Sequence, residues 1–393
     1  MSEATASDYA ALQQQYEFDV YPKRDLVLVR GRGATVWDST GRQYIDAAGG
    51  YGVTSVGHCH PAVQAALARQ SERLLACPGT MYCDVRARLL EQLAQIAPGR
   101  LRRTYLCNSG TEAVEAAIKF ARFTTGRVPI VCAMRSFHGR TMGSLSATHN
   151  PKYKEDFGPL VPGFVHVPYN NLAKLEAAIT EDTAGVLLEV VQGEGGVNPG
   201  DPAFLLGAQR RCRDVGALFI VDEVQTGFGR TGRLFASMHD ELDPDIMTLA
   251  KGIAGGLPLG ATMCADGVEI PTGRHGSTFA GSPLSCAAAL ATIGVILEED
   301  LPAQAAAKGD ALVARLAAAK LDRVRDIRHR GLMIGIQLKE KVTPILLALL
   351  ERGVIALPAG STVLRLLPPL VIGDEELNTV ADAIIEELST PAS

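Results

Sequence analysis

The sequence predicts an α/β fold: a mainly parallel β-sheet flanked by helices, with a smaller α+β domain attached. Three apolar runs, VPIVCAM, GVLLEVV and ALFIVDEV, alternate with helical segments after about residue 61. Near-continuous apolar strands of this kind are typical of a parallel sheet that helices cover on both faces. The chain has 393 residues, more than one average domain, so a second, smaller domain is expected.

Three segments are predicted along the chain. Residues 1–50 combine an N-terminal arm with a small antiparallel meander, because glycine and turn residues break LVLVRGRGATVWDSTGRQYIDAA into three short strands. Residues 51–300 form the large α/β domain, in which PAVQAALARQSERLL begins a helix with Pro61 in the favoured first position. Residues 301–393 form the small domain, with an alanine-rich helix, the strand GLMIGIQL, a helix near 343–352, a further strand and a last helix from Asp374.

Composition and charge argue against several classes of protein. The formal net charge of −5 gives no basic excess for binding nucleic acid. The N-terminus lacks the basic region and apolar core of a secretory signal. The only run that approaches membrane-span length, residues 245–266, contains four glycines, Pro258 and Lys251, so no membrane span is expected.

Cysteine and histidine usage predicts a reduced compartment and no metal site. The eight cysteines form no CxxC pair and are irregularly spaced, which favours a cytoplasmic protein. GHCHP brings His58, Cys59 and His60 together, but alternate residues of a strand face opposite sides and no further ligand cluster accompanies them. We therefore interpret both histidines as structural.

The run DIMTLAKGIAGGLPLGATMCAD contains one charged side chain, Lys251, between Asp245 and Asp266. A desolvated lysine has a lowered pKa and keeps a nucleophilic amine that can form a Schiff base with an aldehyde. Lys251 follows a short strand, so its amine is expected at the carboxyl edge of the sheet, where open α/β sheets bind ligands. The alternative, an ordinary surface lysine, is weakened by the apolar surroundings.

The segment ALFIVDEVQTGFGRTG places Asp222 at the carboxyl end of a buried strand. A buried carboxylate needs a cationic partner, and a protonated ring nitrogen would serve. The pair formed by Asp222 and Glu223 resembles the magnesium-binding strand of a nucleotide hydrolase, but GxxxxGK[ST] is absent from the sequence. Gly227, Gly229 and Gly232 match GxGxxG, yet no glycine-packed helix start follows, so we interpret this stretch as a loop.

The segment NSGTEAVEAAIKFAR predicts a helix start that can bind phosphate. Apolar residues at helical spacing give the helix one buried face: Val114, Ala117, Ile118 and Ala121. Ser109 or Thr111 suits the N-cap, and Gly110 allows a ligand to approach the free N–H groups. Taken singly, this is only a well-capped helix. Together with Lys251 and Asp222 it indicates pyridoxal 5'-phosphate (PLP) as the cofactor.

From about residue 16 to 388, seven stretches resemble the class III (ornithine aminotransferase-like) fold-type I family in the family's order. They are CNSGTEAVEAAIKFAR, FHGRTMGSLSAT, LLEVVQGEGGV, FIVDEVQTGFGRTG, TLAKGIAGGLPLGA, HGSTFAGSPLSCAAA and VLRLLPPLVI. The resemblance implies a PLP-dependent aminotransferase, with PLP bound in the large domain.

The resemblance also implies roles for individual residues. Lys251 is similar to the lysine that binds PLP covalently and moves the proton, and Asp222 to the partner of the pyridine nitrogen. The other implied cofactor contacts are Gln225 at the phenolic oxygen, Phe137 and Val224 on the two ring faces, and Ser109, Gly110 and Thr111 at the phosphate. Thr278 resembles a threonine that the neighbouring subunit supplies to the phosphate, which implies a homodimer with shared active sites.

Substrate contacts are implied by the same resemblance. Arg140, with Ser277 beside it, matches the arginine that holds the α-carboxylate end of an acetylornithine-type donor. Arg365 matches the arginine that binds 2-oxoglutarate, and Glu194 the glutamate that pairs with it when the ω-amine donor is bound. On local sequence, Arg365 would be a salt-bridged strand residue and Glu194 a loop carboxylate. In FAGSP the sequence departs from the family, which usually has a glycine followed by Asn-Pro where Ala280 and Ser282 stand.

RTMGSLS, LKEKVTPIL and VLRLLPPLVI are similar to the branch of the family that acts on aminoadipate semialdehyde attached to an acidic amino-group carrier protein. The expected reaction exchanges the terminal amino group of carrier-linked lysine with 2-oxoglutarate, with the semialdehyde and glutamate on the other side, in lysine biosynthesis. N-acetylornithine is the alternative donor. Arg100, Arg102 and Arg103 form either a basic lip for the carrier or a solvated charge run.

Three other classes remain open on the sequence. A PLP-dependent mutase or racemase would share the cofactor site without needing the acceptor arginine. An NAD oxidoreductase rests only on the GxGxxG match, and a non-catalytic protein of the same fold would not need the lysine, aspartate and phosphate turn together.

Overall fold

The structure, a computed structural model, describes residues 6–390. Residues 1–5 of the predicted N-terminal arm and 391–393 of the last segment lie outside this range. The helices are α1 (Ala6–Tyr16), α2 (Gly49–Gly52), α3 (Pro61–Ser71), α4 (Asp84–Ile96), α5 (Gly110–Thr125), α6 (Met142–Ala147), α7 (Leu172–Ala178), α8 (Pro202–Val215), α9 (Pro283–Glu298), α10 (Leu301–Ala318), α11 (Val342–Glu351) and α12 (Asp374–Ser389).

The strands of the described chain are β1 (Leu28–Arg32), β2 (Thr35–Asp38), β3 (Gln43–Asp46), β4 (Leu101–Cys107), β5 (Ile130–Ala133), β6 (Phe164–Val167), β7 (Gly185–Glu189), β8 (Val191–Gln192), β9 (Asn198–Pro199), β10 (Leu218–Asp222), β11 (Ile246–Leu249), β12 (Gly260–Ala265), β13 (Val324–Arg330), β14 (Met333–Leu338), β15 (Val354–Ile355), β16 (Leu357–Pro358) and β17 (Val363–Leu366). Short 3-10 turns follow Asn150, Phe235 and Ala250.

The central sheet has seven strands in the order β4-β12-β11-β10-β7-β5-β6. Strand β12 is antiparallel to both of its neighbours, and the pairs among β11, β10, β7, β5 and β6 are parallel. Strand β4 therefore runs in the same direction as the parallel strands. The predicted mainly parallel sheet is confirmed.

Successive residues of the central strands pack against helices on opposite faces of the sheet. In β10, Phe219 and Val221 share a core cluster with Phe204 of α8, whereas Ile220 packs in another cluster with Val114 of α5. Because both faces are covered, these strands are apolar at almost every position. This packing explains why the three apolar runs lack the alternation of a half-exposed strand.

Two four-stranded sheets and the β8-β9 pair accompany the central sheet. The predicted meander is present as β1, β2 and β3, and β15 from the C-terminal part of the chain pairs in parallel with β3. Strands β13, β14, β17 and β16 form another sheet, of which β13, with the charged sequence VRDIRHR, was not predicted. We propose the predicted division near residues 50 and 300, with the first and last segments joined through β3 and β15.

Two further features concern membranes and the histidine-rich stretch. In residues 6–390, no helix combines the length and apolar character needed to cross a bilayer. The eight cysteines are free thiols. The ring of His58 lies 2.7 Å from Asp46, and His60 accepts a hydrogen bond from the amide of Ala62 at the start of α3. Both histidines thus have the structural contacts that were predicted.

The carboxyl ends of the parallel strands gather the segments that carry the candidate site. Strands β4, β7, β10 and β11 end at Cys107, Glu189, Asp222 and Leu249. Because these strands run in one direction, the segments that follow them meet at one edge of the sheet.

Candidate active site

A cavity of about 430 Å³ lies at the carboxyl edge of the central sheet. The predicted site residues in its lining are Ser109, Gly110, Thr111, Phe137, Arg140, Glu194, Asp222, Val224, Gln225 and Lys251. Ser277, Thr278 and Arg365 are not part of the lining. His138 and Glu189, which were not predicted, are.

The first turn of α5 presents free amides to the cavity. Ser109 is the N-cap, and its hydroxyl accepts a hydrogen bond from the amide of Glu112 at 3.3 Å. The amides of Gly110 and Thr111 lie too early in the helix to reach an intrahelical carbonyl. A Cβ atom on Gly110 would lie 2.7 Å from Val224, so glycine is required for this close approach. The turn and the positive end of the helix dipole can therefore bind a phosphate.

Asp222 is buried at the end of β10, and both of its carboxylate oxygens have partners. One oxygen lies 2.7 Å from Nδ1 of His138, and the other accepts a hydrogen bond from the amide of Val224 at 3.0 Å. The predicted need for a partner is met in part by His138, which sequence reasoning missed. Nothing in FHGRT shows that its histidine reaches the end of a strand far along the chain. These two contacts fix the orientation of the carboxylate.

Lys251 begins a short 3-10 turn just after β11. Its backbone φ is +36°, a left-handed conformation that costs free energy for a residue other than glycine and is often found at functional sites. Burial lowers the pKa of its amine, a shift that the Glu194 carboxylate opposes and the Arg365 guanidinium reinforces. A lowered pKa makes the neutral, nucleophilic amine available closer to neutral pH.

Glu189 connects two loops of the cavity from a position directly beside Asp222 in the sheet. One oxygen accepts a hydrogen bond from the amide of Phe137 at 3.1 Å, and the other from the amide of Gly193 at 3.2 Å. Burial raises the pKa of Glu189 to about 7, with His138 opposing the shift and Asp222 adding to it. Its sequence signal was weak, because LLEVV looks like part of an uninterrupted apolar strand.

We expect the Glu189→Gln variant to show a pH-dependent stability difference from the wild type. With a folded-state pKa of about 7 against an ordinary value of 4.5, the native state binds more protons than the unfolded state between these values. The wild type therefore loses stability as pH rises through that window. The glutamine does not titrate, but it can accept only one of the two amide hydrogen bonds, which costs about 1–3 kcal/mol.

The variant should thus be clearly less stable at pH 5, and the difference should shrink by pH 8. Urea unfolding midpoints at several pH values measure it. Glu155→Gln, at an exposed position, is the control and should match the wild type throughout. A difference that stays constant or widens with pH would contradict the raised pKa.

Arg365 lies behind Glu194 rather than in the cavity wall. Its side chain is fully buried in β17, and its Nη1 donates to Glu194 at 2.6 Å and to Gln225 at 3.2 Å. Burial would raise the pKa of Glu194, but the charges of Arg365 and Lys251 and hydrogen bonds from Arg365 and Gln225 lower it overall. Nε and Nη2 of Arg365 have no hydrogen-bond partner within residues 6–390. The arginine can therefore bind a further anion if Glu194 moves.

Arg140 lies exposed at the cavity and is stacked on aromatic rings. Its guanidinium carbon lies 3.6 Å from the ring centroid of Tyr153 and 5.6 Å from that of Phe137. The charge of Arg140 therefore faces the cavity on an aromatic support, where it can bind the anionic end of a ligand.

The segment that contains Ser277 and Thr278 lies outside this cavity. The hydroxyl of Ser277 accepts a hydrogen bond from the side chain of Asn108 at 2.9 Å, next to the first turn of α5. Thr278 is exposed. The structure of one chain thus leaves Thr278 on the surface.

The departure from the family pattern at Ala280 and Ser282 lies in a tight turn. The amide of Ala280 donates to the carbonyl of Ser277 at 3.3 Å, and Gly281 has a φ of +62°. The hydroxyl of Ser282 donates to the carbonyl of Leu75 at 3.2 Å. Ser282 therefore ties this turn to the segment between α3 and α4.

Of the two alternatives for Arg100, Arg102 and Arg103, the basic lip is not present at the cavity. These residues lie at the amino end of β4. The cavity lies at the carboxyl end of this strand, which ends at Cys107. At about 3.3 Å per residue, the two ends are separated by more than about 13 Å along the strand. Arg100 instead forms an ion pair with Asp245 at 2.6 Å. The arginines belong to the opposite edge of the sheet.

The other two motifs after β10 have structural explanations. Glu223 is buried and accepts hydrogen bonds from the amides of Ala236 and Ser237 at 3.0 and 2.7 Å, and from Thr226. Glu223 therefore holds the loop after β10 in place, which explains it without the magnesium site of a nucleotide hydrolase. The glycine-rich segment 227–232 forms turns rather than a helix start, as predicted.

Comparison with known proteins identifies the family. Residues 20–388 match the family described as Aminotransferase class-III. The chain belongs to the class-III aminotransferases. It is 47% identical over 387 residues to the [LysW]-aminoadipate semialdehyde transaminase of Deinococcus radiodurans, covering 97% of this chain and 90% of that protein. It is 44% identical to the acetylornithine aminotransferase of Methanopyrus kandleri, covering 97% and 99% of the two chains.

The fold agrees with this class-III assignment. The ornithine aminotransferase of Toxoplasma gondii superposes with a TM-score of 0.94 at 35% identity, covering 98% of this chain and 96% of that one. The acetylornithine aminotransferase of Elizabethkingia anophelis gives a TM-score of 0.87 at 30% identity, covering 98% and 99%. The protein is thus an aminotransferase, and the NAD oxidoreductase alternative is wrong.

Class-III aminotransferases depend on PLP, and this cavity has the groups that PLP requires. The glycine turn at the start of α5 leaves room and free amides for a phosphate. The buried carboxylate of Asp222 suits a protonated pyridine nitrogen, and the desolvated amine of Lys251 suits an aldehyde. PLP is therefore the cofactor of this enzyme.

Proposed function

We propose that this aminotransferase exchanges the terminal amino group of an N-blocked diamino acid, carrier-linked lysine, with 2-oxoglutarate. The products are the semialdehyde and glutamate, and the enzyme serves lysine biosynthesis, and arginine biosynthesis as a second task, in the cytoplasm. The observation that carries this function is the ion pair of Glu194 with the buried Arg365 at the cavity. The relative named as a [LysW]-aminoadipate semialdehyde transaminase supports the choice of donor.

PLP, when bound, supplies an electron sink for the carbon that carries the exchanged amino group. The amides of Ser109, Gly110 and Thr111 would hold its phosphate, Phe137 and Val224 would hold its ring, and Gln225 would contact its phenolic oxygen. Asp222, oriented by His138, keeps a positive charge on the ring nitrogen. The amine of Lys251 binds the cofactor and moves the proton at the substrate carbon that loses or gains the amino group.

Glu194 and Arg365 let one site accept two unlike substrates. While the ω-amine donor is bound, Glu194 neutralises Arg365, as it does in the structure. When 2-oxoglutarate binds, Glu194 moves away and the α-carboxylate takes its place on the guanidinium. Arg140 holds the carboxylate end of the donor, and Ser277, which lies outside the cavity of its own chain, is the second proposed contact. The ion pair thus prevents a buried positive charge from being left without a partner.

We expect the Arg365→Lys variant to lose affinity for 2-oxoglutarate selectively. Lysine cannot reproduce the forked contact of a guanidinium with a carboxylate, so KM for 2-oxoglutarate should rise about tenfold or more. The first half-reaction with the amine donor should stay close to the wild-type rate. Single-turnover absorbance measurements of each half-reaction separate the two effects, and equal losses in both would contradict the switch.

The donor is tested by comparing kcat/KM for carrier-linked lysine and for N-acetylornithine, each with 2-oxoglutarate. A clear preference for the carrier-linked donor supports the proposal. Equal efficiency with N-acetylornithine would support the alternative, an acetylornithine aminotransferase, which relatives at 44% and 43% identity also favour. Isomerisation without dependence on 2-oxoglutarate would contradict both and point to a mutase or racemase.

We also propose a homodimer with shared active sites, in which Thr278 of each chain contacts the phosphate in the other. Thr278 is exposed and does not line the cavity of its own chain. Large apolar side chains are exposed in two adjoining segments: Leu74, Leu75, Met81, Tyr82 and Phe279. Arg86 joins these segments through the carbonyls of Cys77 and Gly281, at 2.6 and 3.0 Å. A fully active monomer by light scattering would overturn the dimer.

An acidic amino-group carrier protein remains the proposed partner for donor delivery. Its docking surface is not the segment of Arg100 to Arg103, because these residues lie at the opposite edge of the sheet from the cavity.

A further inference from the structure

The guanidinium of Arg140 lies over two aromatic rings, one of them much closer than the other. The ring of Tyr153 lies 3.6 Å from its central carbon, within direct stacking contact, whereas the ring of Phe137 lies 5.6 Å away. Stacking on a ring face leaves the N–H groups at the edge of a guanidinium free to bind a carboxylate. Tyr153 therefore provides the closer support for the residue that is proposed to hold the donor.

Tyr153 is itself held in place. It ends a 3-10 turn in which the side chain of Asn150 accepts a hydrogen bond from the amide of Lys152 at 3.1 Å. The amine of Lys154 donates to the carbonyl of Ser146 in α6 at 3.1 Å, which ties this turn to the helix that follows Arg140. The half-buried ring of Tyr153 is thus a fixed surface beneath the exposed side chain of Arg140.

The ring of Tyr153 also contacts the aromatic residue of the cofactor site. Its centroid lies 6.0 Å from that of Phe137, and the two rings are perpendicular at 90°. This edge-to-face geometry is a favourable arrangement of aromatic pairs. Tyr153 thereby links the arginine at the cavity mouth to the ring that is proposed to stack on PLP, without lining the cavity itself.

We infer that Tyr153 is a positioning residue for donor specificity: its ring holds Arg140 in the orientation that receives the carboxylate of the amine donor. This inference rests on the proposed role of Arg140 as the donor-binding arginine. An arginine side chain has many rotamers. If it is already confined before the donor binds, less conformational entropy is lost on binding. Without the ring, Arg140 remains charged but is no longer confined.

The test compares two donors that differ in the carboxylate-bearing group. Nα-acetyl-lysine has the α-carboxylate, and N-acetyl-1,5-diaminopentane has the same reacting amine and acetyl group without it. We expect Tyr153→Leu to lower the ratio of kcat/KM for the two donors by about 3- to 30-fold, through KM for Nα-acetyl-lysine. Tyr153→Phe keeps the ring face and should keep the wild-type ratio.

Three results would overturn the inference. An equal loss for both donors in Tyr153→Leu would show a merely structural role, and an unchanged ratio would show no role in specificity. A loss in Tyr153→Phe as large as that in Tyr153→Leu would assign the effect to the hydroxyl. The Arg140→Leu variant separates this inference from the proposed function. If Arg140→Leu leaves the ratio unchanged, the proposed role of Arg140 in donor binding is wrong. If Arg140→Leu lowers the ratio and Tyr153→Leu does not, only the positioning role of Tyr153 is wrong.

Discussion

The Lys251→Ala variant is expected to lose turnover almost completely, with kcat lowered by at least about 10⁴-fold. Two functions disappear together with this side chain. One is the covalent attachment of PLP, for which the amine is prepared by desolvation. The other is proton transfer at the substrate carbon, which no other amine in the cavity lining can perform, because Lys251 is the only lysine there among the described residues.

Visible spectra of wild type and variant, recorded before and after adding N-acetylornithine and 2-oxoglutarate, measure this loss. The wild type should show a yellow chromophore that borohydride bleaches and fixes to the protein, and the variant should bind PLP without fixation. Lys308→Ala is a matched control, since burial also lowers the pKa of Lys308, in α10 and outside the cavity. More than about 1% residual turnover in Lys251→Ala would contradict the assignment.

We expect the Asp222→Ala variant to show the second-largest effect, a fall in kcat of about 10²- to 10³-fold, comparable to removing one charge-stabilising group from an active site. The carboxylate is 4% exposed and fixed by His138 and Val224, so its negative charge is strongly felt in the cavity. Without it, the proposed partner of the ring nitrogen is lost, and His138 loses its hydrogen-bond partner.

Steady-state and single-turnover kinetics of Asp222→Ala measure the effect in each half-reaction, and both should fall together. Glu223→Gln is the matched control. This neighbouring carboxylate is also buried, but it binds the amides of Ala236 and Ser237 away from the cavity. The control should lose stability and keep a kcat near the wild type. A kcat within tenfold of the wild type in Asp222→Ala would refute the role of Asp222.

The parts of the site that the sequence predicted are those with a local signature. Lys251 and Asp222 interrupt apolar runs at the ends of strands, and Ser109 precedes an amphipathic helix. Each position can be recognised from its neighbours in the chain. The roles of Gln225 and Arg365, by contrast, came from resemblance to a family, because neither residue stands out from its local sequence.

The parts that were missed depend on contacts between distant segments. Glu189 is beside Asp222 because β7 and β10 pair in a particular register, which an apolar strand sequence does not specify. His138 reaches Asp222 only once the segment after β5 is folded over the sheet. The sequence left open whether Arg100, Arg102 and Arg103 form a basic lip for a related reason: the direction of β4 decides which of its ends meets the cavity.

In the proposed switch, the carboxylate of Glu194 competes with incoming anions for the guanidinium of Arg365, with which it forms an ion pair in the structure. A group tethered beside its binding site has an effective concentration in the millimolar range or above, so simple anions in solution must exceed that threshold to displace it. An acceptor with two carboxylates can contact Arg365 with one and Arg140 with the other. Because the two contacts are linked, such an acceptor binds more tightly than a monovalent anion. Under the proposed switch, dicarboxylates therefore displace Glu194 from Arg365 and open the site, whereas monovalent anions leave the ion pair in place.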